Sequence, residues 1–180
     1  MKKIWILSVA AAAALALSAC GVGDVGSSSS VRSAASSQAA SSQAPSSAAA
    51  VTADSVADSL SGLQSYLVAN ASVTGTPETM RADMIGAKSG VKYKFGYNGG
   101  KDNVTLELYQ YDPSSLNETA QKVLSEVRNS GRFTLLEKDV EATLSDSGKY
   151  LAIVTDSSTD DANRAYVQKV KNLVKGFKAG

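Results

Sequence analysis

Val91-Lys92-Tyr93-Lys94-Phe95-Gly96-Tyr97-Asn98-Gly99-Gly100 runs, after three more residues, into Val104-Thr105-Leu106-Glu107-Leu108-Tyr109-Gln110-Tyr111. In the first run Val91, Tyr93, Phe95 and Tyr97 alternate with Lys92, Lys94 and Gly96. Successive side chains of a strand point to opposite faces, so this alternation predicts a strand with one buried face. Asn98-Gly99-Gly100 turns the chain. The second run returns as a strand, with Leu106 and Leu108 on one face and Glu107 and Tyr109 on the other.

Upstream, Val56, Leu60, Leu63 and Leu67 recur at helical spacing and predict an amphipathic helix over roughly 52–69. Thr76-Pro77 then predicts the start of a second short helix, with Met80 and Met84 on one face and an end near Gly86. Downstream, Asp112-Pro113 predicts another helix start. Leu116, Ala120, Val123, Leu124 and Val127 form its apolar stripe, and Gly131 fits its C-terminal cap. Strands are expected at about 133–136 and 140–144. Asp146-Ser147-Gly148 makes a hairpin turn into a strand at 150–155, whose two apolar faces predict a central position. A final helix, capped by Thr159 or a neighbour, carries Tyr166, Val170, Leu173, Val174 and Phe177. The sum is an α+β two-layer sandwich: a mainly antiparallel sheet of about five strands with helices packed on it. Residues 51–180 suffice for a single domain with one core.

The preceding stretch is a different polymer. Of the thirty residues 21–50, eleven are Ser and eight are Ala, and Asp24 and Arg32 are the only charges. Such a segment cannot bury enough apolar surface to offset chain ordering, so residues 20–50 are expected to form a disordered tether. As a flexible coil it reaches about 30 Å.

Residues 1–19 read as a signal peptide. Met1-Lys2-Lys3 is positive, Ile4 to Leu17 is apolar and uncharged, and Ser18-Ala19 is small. The apolar stretch is short for a membrane span, which needs about 20 residues. Leu17-Ser18-Ala19-Cys20, followed by Gly21, resembles the lipobox of bacterial lipoproteins. The resemblance implies a diacylglyceryl group on the Cys20 thiol and cleavage before it, leaving the chain lipid-anchored on the extracytoplasmic face of the cell membrane. Ordinary secretory cleavage after Ser18 is the competing reading. With its tether and single domain, the chain also looks like small cell-surface lipoproteins of Gram-positive, Clostridia-type bacteria. Ile85-Gly86-Ala87, Gly90-Val91-Lys92-Tyr93 and the run from Leu106 to Asp112 carry that likeness. It implies no activity and no site residue.

Composition excludes much chemistry. There is one Cys and no His. Lipid on Cys20 would leave no thiol for a disulfide, a nucleophile or a metal. Without His there is no Ser-His-Asp or Cys-His catalysis and no His-based zinc site. The formal charge is +1. Lys2 and Lys3 leave with the signal, so the balance stays near neutral and no nucleic-acid partner is expected. No cofactor is expected either.

Several local patterns are candidates. Ser89-Gly90-Val91-Lys92 matches the S-x-x-K string of penicillin-interacting enzymes, and Lys88-Ser89-Gly90 matches their K-[ST]-G string. The two share Ser89, whereas that chemistry needs separate elements converging, so the match is read as chance. Asp156, Asp160 and Asp161 are a weak Ca²⁺ candidate. Their spacing departs from the usual calcium loop, and helix capping is the plainer role. Tyr109 and Tyr111, opposite Leu106 and Leu108, are a candidate partner surface. The competing reading is packing beneath a helix. Lys169, Lys171, Lys175 and Lys178 lie on the polar face of the last helix, either solvated or against anionic lipid or wall polymer. Asn70, Asn103 and Asn117 match the glycosylation pattern in form only.

The functional expectation is a lipid-anchored, non-catalytic binding or interaction module whose partner is an envelope protein or wall polymer. An envelope assembly factor is the alternative. A carboxylate-based hydrolase comes last, for want of two facing acids.

Overall fold

The hairpin from Ser89 to Gln110 supplies two of the three interior strands of the main sheet. A computed structural model describes residues 51–179. The readings of residues 1–50, among them the signal peptide, Cys20 and the tether, lie outside the described residues. The elements in order are α1 (Leu60–Ala71), β1 (Glu78–Thr79), a 3-10 helix (Ala82–Ile85), β2 (Ser89–Phe95), β3 (Val104–Gln110), α2 (Glu118–Ser130), β4 (Arg132–Leu135), β5 (Lys138–Glu141), β6 (Thr143–Leu144), β7 (Tyr150–Asp156) and α3 (Asp161–Lys175). The main sheet runs β1-β2-β3-β7-β6, with every neighbouring pair antiparallel, and β4-β5 form a separate two-stranded sheet. The fold is α+β, with helices packed on the sheet.

Register explains which side chains meet. Tyr93 pairs with Leu106 and Leu106 with Val154, while Gly90 pairs with Tyr109 and Tyr109 with Leu151. One face therefore presents Tyr93, Phe95, Leu106, Leu108, Tyr150 and Ala152. These pack with Leu63 and Leu67 of α1 and Val170 and Val174 of α3. The other face presents Tyr109, Leu151 and Ile153. Val123, Leu124 and Val127 of α2, Ile85 of the 3-10 helix and Phe133 of β4 cover them. Each large aliphatic or aromatic side chain buried this way contributes about 1.5–3 kcal/mol. As the two-sided apolar pattern predicts, β7 is interior, between β3 and β6.

Several element boundaries differ from expectation for local reasons. The first helix begins at Leu60, not near 52. Thr52 and Ser55 hydrogen-bond each other's backbone in a turn, and the Ser59 side chain accepts from Gly62 N–H at 3.1 Å as the true N-cap. The segment before it folds back over the first turn, made possible by Gly62. A Cβ there would lie 1.9 Å from the Ala57 carbonyl oxygen. The second helix shrinks to one 3-10 turn because the Met80 N–H donates to Gly90 O at 2.9 Å and extends the edge of the sheet. Asp112-Pro113 makes a turn, with Asp112 Oδ1 accepting from Ser114 N–H at 3.1 Å, and Asn117 caps α2 instead. Gly131 ends α2 at φ 70 in the left-handed region, as its position suggests. The strand expected at 140–144 is split between the two sheets, and Ala142 N–H between them donates to Gly131 O at 2.9 Å.

Candidate functional site

Tyr109 and Tyr111 are not a partner surface. They are 5% and 2% exposed, inside the cluster beneath α2 and the 3-10 helix. The Tyr109 ring lies across Gly90, where a Cβ would approach it to 2.8 Å. Its hydroxyl donates to Glu107 Oε2 at 2.9 Å, and the Tyr111 hydroxyl donates to Ile85 O at 3.1 Å. Burial raises both phenols above their ordinary value, and the Glu107 carboxylate adds to this for Tyr109. Alternation correctly put Tyr109 opposite Leu106; it carried no information on which helices close over that face.

Asp156, Asp160 and Asp161 do not converge. Asp156 accepts from Asn103 Nδ2 at 2.9 Å, Ser158 N–H at 2.8 Å and Asn163 Nδ2 at 2.7 Å. Asp160 accepts from the Ser158 hydroxyl, and Asp161 pairs with Arg164. Among the described residues no three acidic, His or Cys side chains are grouped to hold a metal. Asp160 occupies the N-cap position of α3, though its side chain makes no capping hydrogen bond.

The other patterns resolve into structural contacts. Ser89 and Lys92 lie three residues apart on β2 and so face opposite sides. Lys171 pairs with Glu141 at 2.6 Å, Lys175 pairs with Asp146, and Lys178 donates to Val56 O at 2.6 Å. Asn117 is a helix cap. Asn103 accepts from Tyr97 N–H at 2.9 Å as well as donating to Asp156. Asn70 donates to Val51 O at 2.8 Å.

What the structure does assemble is a groove between α1 and α3. Two adjoining depressions of about 500 and 360 Å³ share Ala165 and Lys169. Tyr66, Gln168 and Asn172 line one; Ser72, Tyr97 and Tyr166 line the other. Small side chains on α3, Ala162 and Ala165, open the space. Tyr97 stacks on Tyr166 with ring centres 4.0 Å apart and planes at 23°, and Tyr66 leans on Phe177 at 5.5 Å. Gln168 Nε2 donates to Asn172 Oδ1 at 2.9 Å along the rim. Among the described residues Lys169 is the single charge in the lining, and no carboxylate lines either depression. The hydroxyl of Tyr166 is buried without a hydrogen-bond partner among the described residues. Its acidity is suppressed, with the pKa pushed up to about 12, mainly by burial, with Tyr97 and Asp156 adding to it.

Val51 is tied by Asn70 to the last turn of α1, next to Ala71 and Ser72 of this groove. Val51, the first of the described residues, therefore lies beside it. The groove draws on residues whose sequence pattern points elsewhere: Tyr97 to a strand face, Tyr166 to an apolar stripe. The one available signal was Ala162 and Ala165, small residues one turn apart on a helix otherwise rich in large side chains. Among the described residues no helix is long and apolar enough to cross a membrane. Comparison of the chain with protein-family models, curated proteins and solved structures finds no match.

Proposed function

We propose that this chain is a non-catalytic binding module, held by lipid on Cys20 at the outer face of a cell membrane, whose α1–α3 groove takes a glycan chain of the wall. The observation that carries the reading is the chemistry of the groove lining. Tyrosine rings offer rigid amphipathic area at low entropy cost, and the amides of Gln168 and Asn172 can exchange hydrogen bonds with hydroxyl and acetamido groups. Lys169, with no carboxylate around it, favours a neutral or acidic chain over a basic one. The lipobox-like run Leu17-Ser18-Ala19-Cys20 and the Ser/Ala-rich segment after it support a tethered module. A tether reaching about 30 Å would let the domain sample the wall close to the membrane.

We read the groove as binding rather than catalytic because its described lining sets tyrosine rings beside side-chain amides, not two facing acids.

Co-sedimentation of the detergent-solubilised full chain with purified insoluble wall glycan tests the reading. Wild type should pellet with the glycan. Ala165→Trp, which fills the groove from an exposed position, should lose at least ~10-fold in affinity. Equal pelleting of the two proteins would overturn the groove assignment. Crosslinking to one abundant envelope protein with no glycan binding would favour an assembly factor instead.

A further inference from the structure

We propose that a second cleft, at the free edge of β6, is an oxyanion site in which Arg128 receives the carboxylate or phosphate group of a small ligand. The cleft holds about 500 Å³ and lies between the C-terminal ends of α2 and α3 and the β6–β7 turn. Three observations converge on it.

Arg128 lines the cleft and makes neither an ion pair nor a hydrogen bond to any described residue, although the other cation in the lining, Lys175, is paired with Asp146. The guanidinium lies over the β6–β7 turn at Gly148. A Cβ on that residue would lie 3.1 Å from Arg128 Nη2, and Gly148 has φ 71. Glycine is favoured there by the left-handed backbone of the turn. A guanidinium presents a planar fork that matches carboxylate and phosphate oxygens bidentately.

The sheet edge supplies a further donor. Ser145 N–H donates to Tyr150 O at 2.8 Å, so Ser145 faces β7. Antiparallel pairs alternate in bonding direction, and Leu144, opposite Leu151, therefore turns its own N–H away from β7 toward the cleft. On either side, Ala142 N–H donates to Gly131 O and Asp146 N–H to Lys175 O, so both flanking amides are already engaged. That closes the edge to a whole added strand and leaves room for one compact group. The hydroxyl of Ser147, 2.9 Å from Ser145 Oγ, completes the polar wall. With Asp146 neutralised by Lys175, the net charge of the lining is the single positive charge of Arg128.

Thermal unfolding of the detergent-solubilised full chain tests the site, with inorganic phosphate and succinate as probes against chloride at equal ionic strength. At least one probe should raise the melting temperature saturably, by about 4 °C at ten times its half-saturating concentration. Phosphate alone would assign a phosphate-bearing ligand; succinate alone would assign a carboxylate. Arg128→Gln, at an exposed helix position, should abolish the rise, and Lys169→Gln in the α1–α3 groove should keep it. No rise beyond chloride with either probe, or an undiminished rise in Arg128→Gln, would overturn the proposal.

Discussion

The side-chain amide of Asn163, on α3, donates to Oδ2 of Asp156, at the end of β7, at 2.7 Å. Asn163 is 1% exposed, and its own Oδ1 accepts from Asn98 Nδ2 at 3.0 Å. Asn103 donates to the other oxygen of Asp156. Two asparagines on one carboxylate, with Asn98 behind Asn163, thus join the β2–β3 loop, the last strand and the last helix. A buried polar network of this kind holds only if its members stay satisfied. Asn163→Ala should therefore cost about 1–3 kcal/mol in urea unfolding, and Asn163→Asp, facing Asp156, should cost at least as much.

Acid should weaken the domain through two aspartates. Burial raises the Asp156 carboxyl, but the hydrogen bonds from Asn163, Ser158 N–H and Asn103 outweigh it, leaving the group below its ordinary 3.8. The Asp58 carboxyl is also lowered, by hydrogen bonds from Lys149 and Tyr150, at 2.5 and 2.6 Å. A carboxyl with a depressed folded value contributes stability above its unfolded value and loses it as pH falls through the folded one. Stability should thus be level near neutrality and decline below about pH 4. The decline should be shallower in a double variant Asp58→Asn, Asp156→Asn, read as melting temperature against pH.

Gly62→Ala should disturb the start of the domain while leaving the sheet folded. A Cβ would meet the Ala57 carbonyl oxygen at 1.9 Å, so the segment before α1 must move. That movement pulls Asp58 from Tyr150 and Lys149 and Val56 O from Lys178. Although alanine is the better helix former, the variant should be destabilised by about 1–3 kcal/mol. Proteolysis near residue 57 should accelerate more than elsewhere.

Tyr166→Phe should be neutral or stabilising by up to about 1 kcal/mol, because it removes a buried hydroxyl with no partner and keeps the ring stacked on Tyr97. Denaturant midpoints of the two proteins check this. A loss above about 1 kcal/mol would mean that the hydroxyl has a partner in solution.

The residues differ in how much of the result they disclosed in advance. Gly131 was readable as the end of α2 because a left-handed cap is a backbone demand that glycine meets locally. The alternation from Val91 to Tyr97 and from Val104 to Tyr111 was readable for the same reason: strand geometry is written every second residue. Asp112-Pro113 misled because an Asx turn and a helix start use the same residues, and Asn117, five residues on, supplied the better cap. Tyr109 left two readings open, partner surface or packing beneath a helix, because a side chain's face follows from parity, whereas its cover depends on an element distant in sequence; burial decides for packing. The groove was illegible for that reason too. Tyr66, Tyr97 and Lys169 come together only once α1 and α3 are laid side by side over the same sheet face.

By itself, then, the chain's order of residues determined the α+β class, the strand–turn–strand run from Val91 to Tyr111 and the interior place of β7. These depend on periodicity, local backbone preference and composition, which short stretches carry intact. Only the tertiary structure decided which tyrosines are buried, which carboxylates stay apart, and that Arg128 stands over Gly148 beside a free strand edge. Those are relations between segments far apart in the chain, and they arise when apolar stripes on three helices find opposite faces of one sheet.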